Sequence, residues 1–335
     1  MRYRAMIGVG GIGAGTFFAV NGNATIGREE SRGGRFLDRR DYCKLHIICH
    51  YVKVLSGPEF AVIPIGKVGD DDVGRRLLQE MSEIGLDLRY VETSFGDSTL
   101  FSFCFIYPDG SGGNLTTDDS ACSKVDHEFV KRAEPEFEKF EGAGIALAAP
   151  EVPISAREAL IRLGTRYGFL RAASFTFEEM PRALESGLLQ EIDLLAINRD
   201  EARAVLGGRL EADAETLVNR VIRRLSEINS KLMVTVTAGA SGSWSWDGSN
   251  LYHVPAYRVD AVGTAGAGDA HLAGVLVGLA EGKPLSEAHK LGALVAGMSV
   301  TSPHTIDKRI DRESLRRFAS VAEPSGSGSR ERNQQ

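Results

Sequence analysis

Residues 261–271, "AVGTAGAGDAH", set a single acid, Asp269, among glycines and alanines, and the apolar "LAGVLVGLAEG" follows at once. The second stretch reads as a buried helix, so the first forms its mouth. A helix N-terminus presents unpaired N–H groups and about half a positive charge. Glycines let that backbone approach a ligand with no Cβ in the way. Gly266, Ala267 and Gly268 can therefore form an anion pocket for a phosphate or a charged transition state. Asp269, beside that pocket, has the chemistry of a general base that takes a proton from a substrate hydroxyl. Read alone, the stretch is explained equally well as a capped helix packed on a strand through its glycines.

The elements that must position these residues follow a regular order. From about residue 142, apolar runs alternate with amphipathic helical patterns: "GIALAAP", "FLRAASF", "DLLAIN" and "KLMVTVTAG" are separated by stretches such as "SAREALIRLGTRYG" and "DAETLVNRVIRRLSEIN". This predicts a doubly wound α/β fold, its mainly parallel sheet covered by helices on both faces. Such sheets bind ligands at the C-terminal ends of their strands. "AVIPIGKVG" with "DDVGRRLLQEMSEIG" is another strand and helix, Asp70 to Asp72 suiting the helix N-terminus. "STLFSFCFIYPDGSGGNLTT" reads as a hairpin about a Pro-Asp-Gly turn, and "GTFFAVNGNATIG" as a second with Asn-Gly as its turn. Together, near residues 12–34 and 98–120, these predict a small β-lid on one domain spanning residues 1–320. Residues 321–335, which include "EPSGSGSRERNQQ", read as a disordered tail.

"GTAGAGDAHLAG" resembles the signature of the ribokinase-like (PfkB) carbohydrate kinases, D-T-x-G-A-G-D-x-F. "NRDEA" resembles their N-x-x-E motif through Asn198 and Glu201. "VTAGASGSWSWDG" is similar to V-T-x-G-x-x-G through Thr237, Gly239 and Gly242. "IGKVGDDDVGRRLLQEMSEIGLD" resembles the upstream I-G-x-V-G-D-D-x-x-G segment. Four motifs in order are far more specific than one glycine-rich loop. The resemblance, over roughly residues 4–318, implies an ATP-dependent kinase that phosphorylates a hydroxyl of a small sugar, polyol or nucleoside. It implies Asp269 as base, the Gly266–Gly268 amides as anion hole, Asn198 near the phosphates, and Thr237, Gly239 and Gly242 at the nucleotide. Glu201 would hold Mg²⁺ through water, and two lids would pack together in a homodimer. For Asn198 and Glu201 the structural alternatives are an N-cap and a first-turn acid.

Three departures stand out. Gly263 replaces the first Asp of the signature, which removes an expected contribution to monovalent-cation activation, and His271 replaces its Phe. "GVGGIGAGTFFAV" has no acid where the family grips substrate hydroxyls. "GGRFLD" carries Asp38 in place of Asn in G-G-x-x-x-N, so Gly33, Gly34 and Asp38 are expected at an altered substrate site. A non-catalytic sugar or nucleotide sensor is the alternative.

Other signals compete less well. "GVGGIG" fits G-x-G-x-x-G, but the following residues are poor helix formers and good strand formers, against a dinucleotide site. Cys43, His46 and His50 in "CKLHIICH" fall near one helical face, where an amphipathic core helix explains them better than a metal. Trp244 and Trp246 alternate on a strand, as packing requires. A net charge of −6 gives no reason to expect nucleic acid or an anionic membrane as partner, and 43% hydrophobic with 25% charged residues suits a globular protein. No apolar run reaches the length of a spanning helix, the N-terminus lacks a secretory pattern, and four cysteines make no disulfide framework. The expected compartment is the cytoplasm.

Overall fold

The computed structural model describes residues 1–109, 111–208 and 213–322. The expected tail thus lies, from residue 323, outside the described residues. Its first residue as expected, Val321, instead ends the helix Arg312–Val321. Among the described residues, thirteen strands build two sheets. In chain order they are β1 (Ala5–Val9), β2 (Gly13–Val20), β3 (Gly34–Tyr42), β4 (Ala61–Gly69), β5 (Tyr90–Ser94), β6 (Leu100–Ile106) and β7 (Gly112–Thr116). β8 (Gly144–Ala148), β9 (Leu170–Ser174), β10 (Leu194–Asn198), β11 (Met233–Thr237), β12 (Ser243–Trp246) and β13 (Leu251–Val254) complete the set.

The large sheet runs β13-β12-β11-β10-β9-β8-β1-β4-β5, parallel except for the antiparallel pairings of β12 with β11 and β13. Its central strands are buried along their whole length: β1 (AMIGV) and β8 (GIALA) expose nothing. That explains their near-continuous apolar sequences, because helices cover both faces. Two apolar clusters lie on opposite sides of the sheet, one holding Ile7, Phe137 and Leu195, the other Met6, Leu45 and Leu276.

The helix Ala267–Ala280 lies in the second cluster, with only its first three residues reaching solvent. It packs on the helix Leu285–Ser299 at very short range. A Cβ on Gly274 would stand 2.7 Å from the Gly292 Cα, and one on Gly278 would stand 2.6 Å from the Ala288 Cα. The glycines inside this apolar helix thus serve close backbone approach, which seats Asp269 firmly.

The second sheet, β3-β2-β6-β7, is the expected lid, and β6 and β7 form the expected hairpin. Gly110, of the Pro-Asp-Gly turn, lies outside the described residues. The first hairpin differs from expectation. Asn21-Gly22 does not close a two-residue turn: the chain departs after Val20, and the Asn21 N–H meets the Gly33 carbonyl at 3.0 Å before β3 returns. The intervening "NATIGREESRG" is polar and glycine-flanked, with no alternating apolar face to pair, whereas "GRFLDRRDY" has one. The stretch "TFEEMPRALESGLLQE", helical by its pattern, is split: Gly187, at φ 78°, separates Met180–Glu185 from Leu188–Glu191.

Candidate active site

The C-terminal ends of β1, β8, β10 and β11, the mouth of the Ala267–Ala280 helix and the inner face of the lid meet at one place. Gly266 caps that helix with φ 77°, a left-handed conformation that costs most residues energy. A Cβ there would also stand 2.9 Å from the Thr305 carbonyl oxygen. The Ala267 N–H turns back to the Thr264 carbonyl at 3.3 Å. Gly268 faces β11, where a Cβ would lie 3.8 Å from Thr237 Oγ1.

Asp269 projects from the first turn into a cavity of about 440 Å³ between lid and sheet. Its carboxylate is 15% exposed, and Lys44 Nζ lies 4.0 Å from Oδ1. Burial raises the pKa of Asp269 above the ordinary carboxylate value, and the Lys44 charge opposes that rise. Lys44 opens the helix Lys44–Ser56, directly after the lid strand β3. Asp269 foremost, then Glu201, Glu151 and Glu179, hold its ammonium charged.

Two further acids in this cavity were not anticipated from the sequence. Glu151 follows β8 and has φ 75°, an uncommon conformation for a residue with a side chain. Its Oε2 accepts from the Lys44 backbone N–H at 3.3 Å. Burial foremost pushes it up to about 7, against the pull of Lys44. Asp41, near the end of β3, is buried and accepts a hydrogen bond from the Cys104 thiol at 3.5 Å. Burial raises it too. These acids stand where the N-terminal segment lacks one. The readable signals were an acid between two prolines after an apolar strand, "AAPEVP", and the acid and lysine in "RRDYCK".

Asn198 and Glu201 form a complete capping box at the end of β10. The Asn198 side chain accepts from the Asp200 and Glu201 N–H groups at 2.8 and 2.9 Å, and Glu201 Oε2 accepts from the Asn198 N–H at 2.8 Å. The structural alternative for this pair is therefore real. The box also fixes Glu201, which is buried and pushed up to about 7 chiefly by burial. Asn198 lies beside Thr237 in the β10–β11 register. Gly239 (φ 55°) and Gly242 (φ 87°) bracket the short turn after β11.

The structure does not bring Gly33, Gly34 and Asp38 to this cavity. Gly34 begins β3, at the end remote from Tyr42 and Lys44, and Gly33 lies exposed before it. Asp38 lines a separate cavity with Arg40 and Lys308 on the other side of β3. The chain needed at the site is the C-terminal end of β3, which "GGRFLD" only begins. Nor do Cys43, His46 and His50 form a metal site: no group of three or more metal-binding side chains occurs among the described residues. His46 and His50 are buried in the core, and burial lowers them to about 3 and about 4. His271 is likewise buried, facing His289 with ring centres 5.3 Å apart. Trp244 stacks on His253 at 4.3 Å as a packing residue.

The profile of the pfkB family carbohydrate kinases matches residues 49–312. The chain belongs to this family. It is a carbohydrate kinase, a phosphotransferase with an alcohol group as acceptor. A ribokinase from Haemophilus influenzae is 24% identical over 240 residues, covering 71% of this chain and 74% of its own. An ATP-dependent ribose-1-phosphate kinase from Halopiger xanaduensis is 28% identical over 261 residues, covering 72% and 77%. Among solved structures, a ribokinase from Cryptococcus neoformans in complex with ADP superposes with a TM-score of 0.77 at 18% identity, over 94% of this chain and 99% of that one. A ribokinase from Arabidopsis thaliana complexed with ribose and ATP gives 0.71 at 19%, over 94% and 98%. No helix among the described residues is long and apolar enough to cross a membrane.

Proposed function

We propose that this carbohydrate kinase transfers the γ-phosphoryl group of ATP to a hydroxyl of a small sugar, polyol or nucleoside held under the lid. The observation that carries the reading is Asp269: a part-buried carboxylate beside the open N-terminus of a helix, with Lys44 4.0 Å away. Asp269 takes the proton of the acceptor hydroxyl as its oxygen forms a bond to the γ-phosphorus. The bond to the β-phosphate oxygen breaks and ADP leaves. Little covalent help is needed; alignment and charge neutralisation do most of the work. The helix mouth from Gly266 to Gly268 and the Lys44 ammonium face the charge that develops. Asn198, Thr237, Gly239 and Gly242 border the nucleotide.

The donor set suits a hydrated Mg²⁺. Glu201 offers a fixed, buried carboxylate whose charged form gains from a nearby cation, and magnesium needs only one or two protein carboxylates. When bound, the ion neutralises phosphate oxygens. Asp41 and Glu151 suit recognition of acceptor hydroxyls, as charged carboxylates are strong acceptors. A homodimer formed lid to lid is the expected assembly.

ADP release over a panel of sugars, polyols and nucleosides tests the reaction. Turnover that depends on one acceptor is expected, and Asp269→Asn should lower kcat by roughly 10²-fold or more while keeping nucleotide affinity. Tight binding without turnover by the unaltered protein would instead support a sensor.

A further inference from the structure

The cavity that holds Asp269 also holds a guanidinium with no partner among the described residues. Arg39, on the lid strand β3, lines it and makes no hydrogen bond, ion pair or ring contact among the described residues. The neighbouring arginine behaves differently: Arg40 pairs with Glu80 at 3.3 Å. Glu80 is further occupied by Lys308 and the Tyr42 hydroxyl. Asp41, two residues from Arg39, takes the Cys104 thiol.

The backbone explains why Arg39 faces inward. β2 and β3 pair at Gly15 with Asp41 and again at Phe17 with Leu37. Three residues of β3, Asp38, Arg39 and Arg40, thus stand opposite Thr16 alone. The excess is two residues, so the period-2 alternation is kept and Leu37, Arg39 and Asp41 stay on one face of β3. That alternation puts Arg39 with Asp41 at the inner cavity, and Asp38 and Arg40 at the outer one. Turning an unpaired cation into a part-enclosed space has no evident gain for stability, and gains a partner only when an anion enters.

Position along the strand gives the order. Asp41 is close enough to the floor to feel the Asp269 charge. Arg39 lies two residues further from Lys44 along β3, on the same face as Asp41. An acceptor whose reacting hydroxyl sits at Asp269 would therefore bring its far end to Arg39. Asn114 and Ser102 line the same side and offer neutral polar partners.

We propose that Arg39 is a specificity residue and that the acceptor is an anionic sugar, carrying a phosphate ester or a carboxylate at the end remote from the phosphorylated hydroxyl. This rests on the reading of the cavity as the acceptor site. The fork of a guanidinium binds either group in two parallel hydrogen bonds.

The test uses the full chain and matched probes: pentoses and hexoses, their terminal monophosphates, and the corresponding sugar acids. Binding is measured by calorimetry and turnover by ADP release. At least one anionic member should bind ten or more times tighter than its neutral counterpart, and the phosphate and acid arms show which anion is read. Arg39→Gln should raise KM for that member at least tenfold more than for its neutral counterpart, with kcat changed less, and Arg39→Lys should recover part of the loss. A merely structural role would weaken both members alike. Absence of any anionic member that binds more tightly than its neutral counterpart overturns the proposal, as does an equal loss on both in Arg39→Gln. Anion-selective binding without turnover would leave the role of Arg39 standing and refute the kinase reading of this site.

Discussion

Lys44 and Asp269 set each other's charge. Burial raises Asp269 above the usual carboxylate range, and Lys44 supplies the opposing pull. A base works only when deprotonated, so activity should fall as pH drops through the Asp269 pKa. Lys44→Met removes the charge that lowers this pKa, so the acid limb of kcat should move to higher pH, along with a lower plateau. An acid limb unmoved by Lys44→Met would separate the two groups. In the proposed reaction Glu201 would act at the other end of the transferred phosphate. Glu201→Gln keeps shape but loses charge, and should raise the Mg²⁺ concentration for half-maximal activity more than it changes acceptor KM; an unchanged magnesium titration would argue against it. Glu151 and Glu201, both raised to about 7, also carry a stability signature. A raised carboxylate binds its proton more tightly folded than unfolded. Its contribution is complete below the unfolded pKa, near 4.5, and is lost as pH rises towards about 7. The ligand-free protein should thus lose Tm between those values, and Glu151→Gln should flatten the loss.

The helix mouth is where element and chemistry depend on one backbone conformation. Gly266→Ala meets both the left-handed φ and the Thr305 carbonyl, and should cost about 1–3 kcal/mol of stability. Because the same strain tilts the first turn carrying Asp269, kcat should fall as well; a variant with unchanged Tm and kcat would mean that the turn relaxes freely. This element was legible in sequence because its signal is local: a glycine-rich turn, one acid, then an unbroken apolar helix. The parallel sheet was legible for a similar reason, since strands such as "DLLAIN" are buried on both faces and show it in composition. The acceptor half was not. Asp41 and Lys44 lie at the junction of β3 and the helix that follows, Glu151 comes from a loop more than a hundred residues later, and none has a motif-like neighbourhood. Gly33-Gly34 looked like the substrate motif because its spacing matched, but β3 is nine residues long and only its other end reaches the site. Arg39 shares the inner face with Asp41 by the alternation of β3, but which face turns to the cavity is set by the pairing with β2 and not by β3 alone.

At the scale of the molecule, the lid has two unlike faces. Phe17, on the inner face, is buried, and Cys104 opposite it lines the cavity. Phe103, paired with Thr16 one step along, does not share that face. Phe18, Phe36 and Phe103 form an aromatic group, with ring centres 5.1–6.4 Å apart. Phe36 and Leu115 are each 65% exposed. An exposed apolar group of this size on a four-stranded sheet is unfavourable in water, and suits the proposed lid-to-lid contact. A second copy of the same lid satisfies it symmetrically, since a two-fold interface brings the same patch against itself. Sedimentation at micromolar concentration should therefore show a dimer. Phe36→Asp would bury a charge in that contact and should give a monomer. Because the side chain points away from the cavity, its effect on the acceptor passes through the lid: KM should rise more than kcat falls, as the lid closes less readily over the site. A strict monomer in the unaltered protein, with Phe36→Asp equally soluble and equally active, would mean that the aromatic face has no partner and that the lid is held only by its own hairpins.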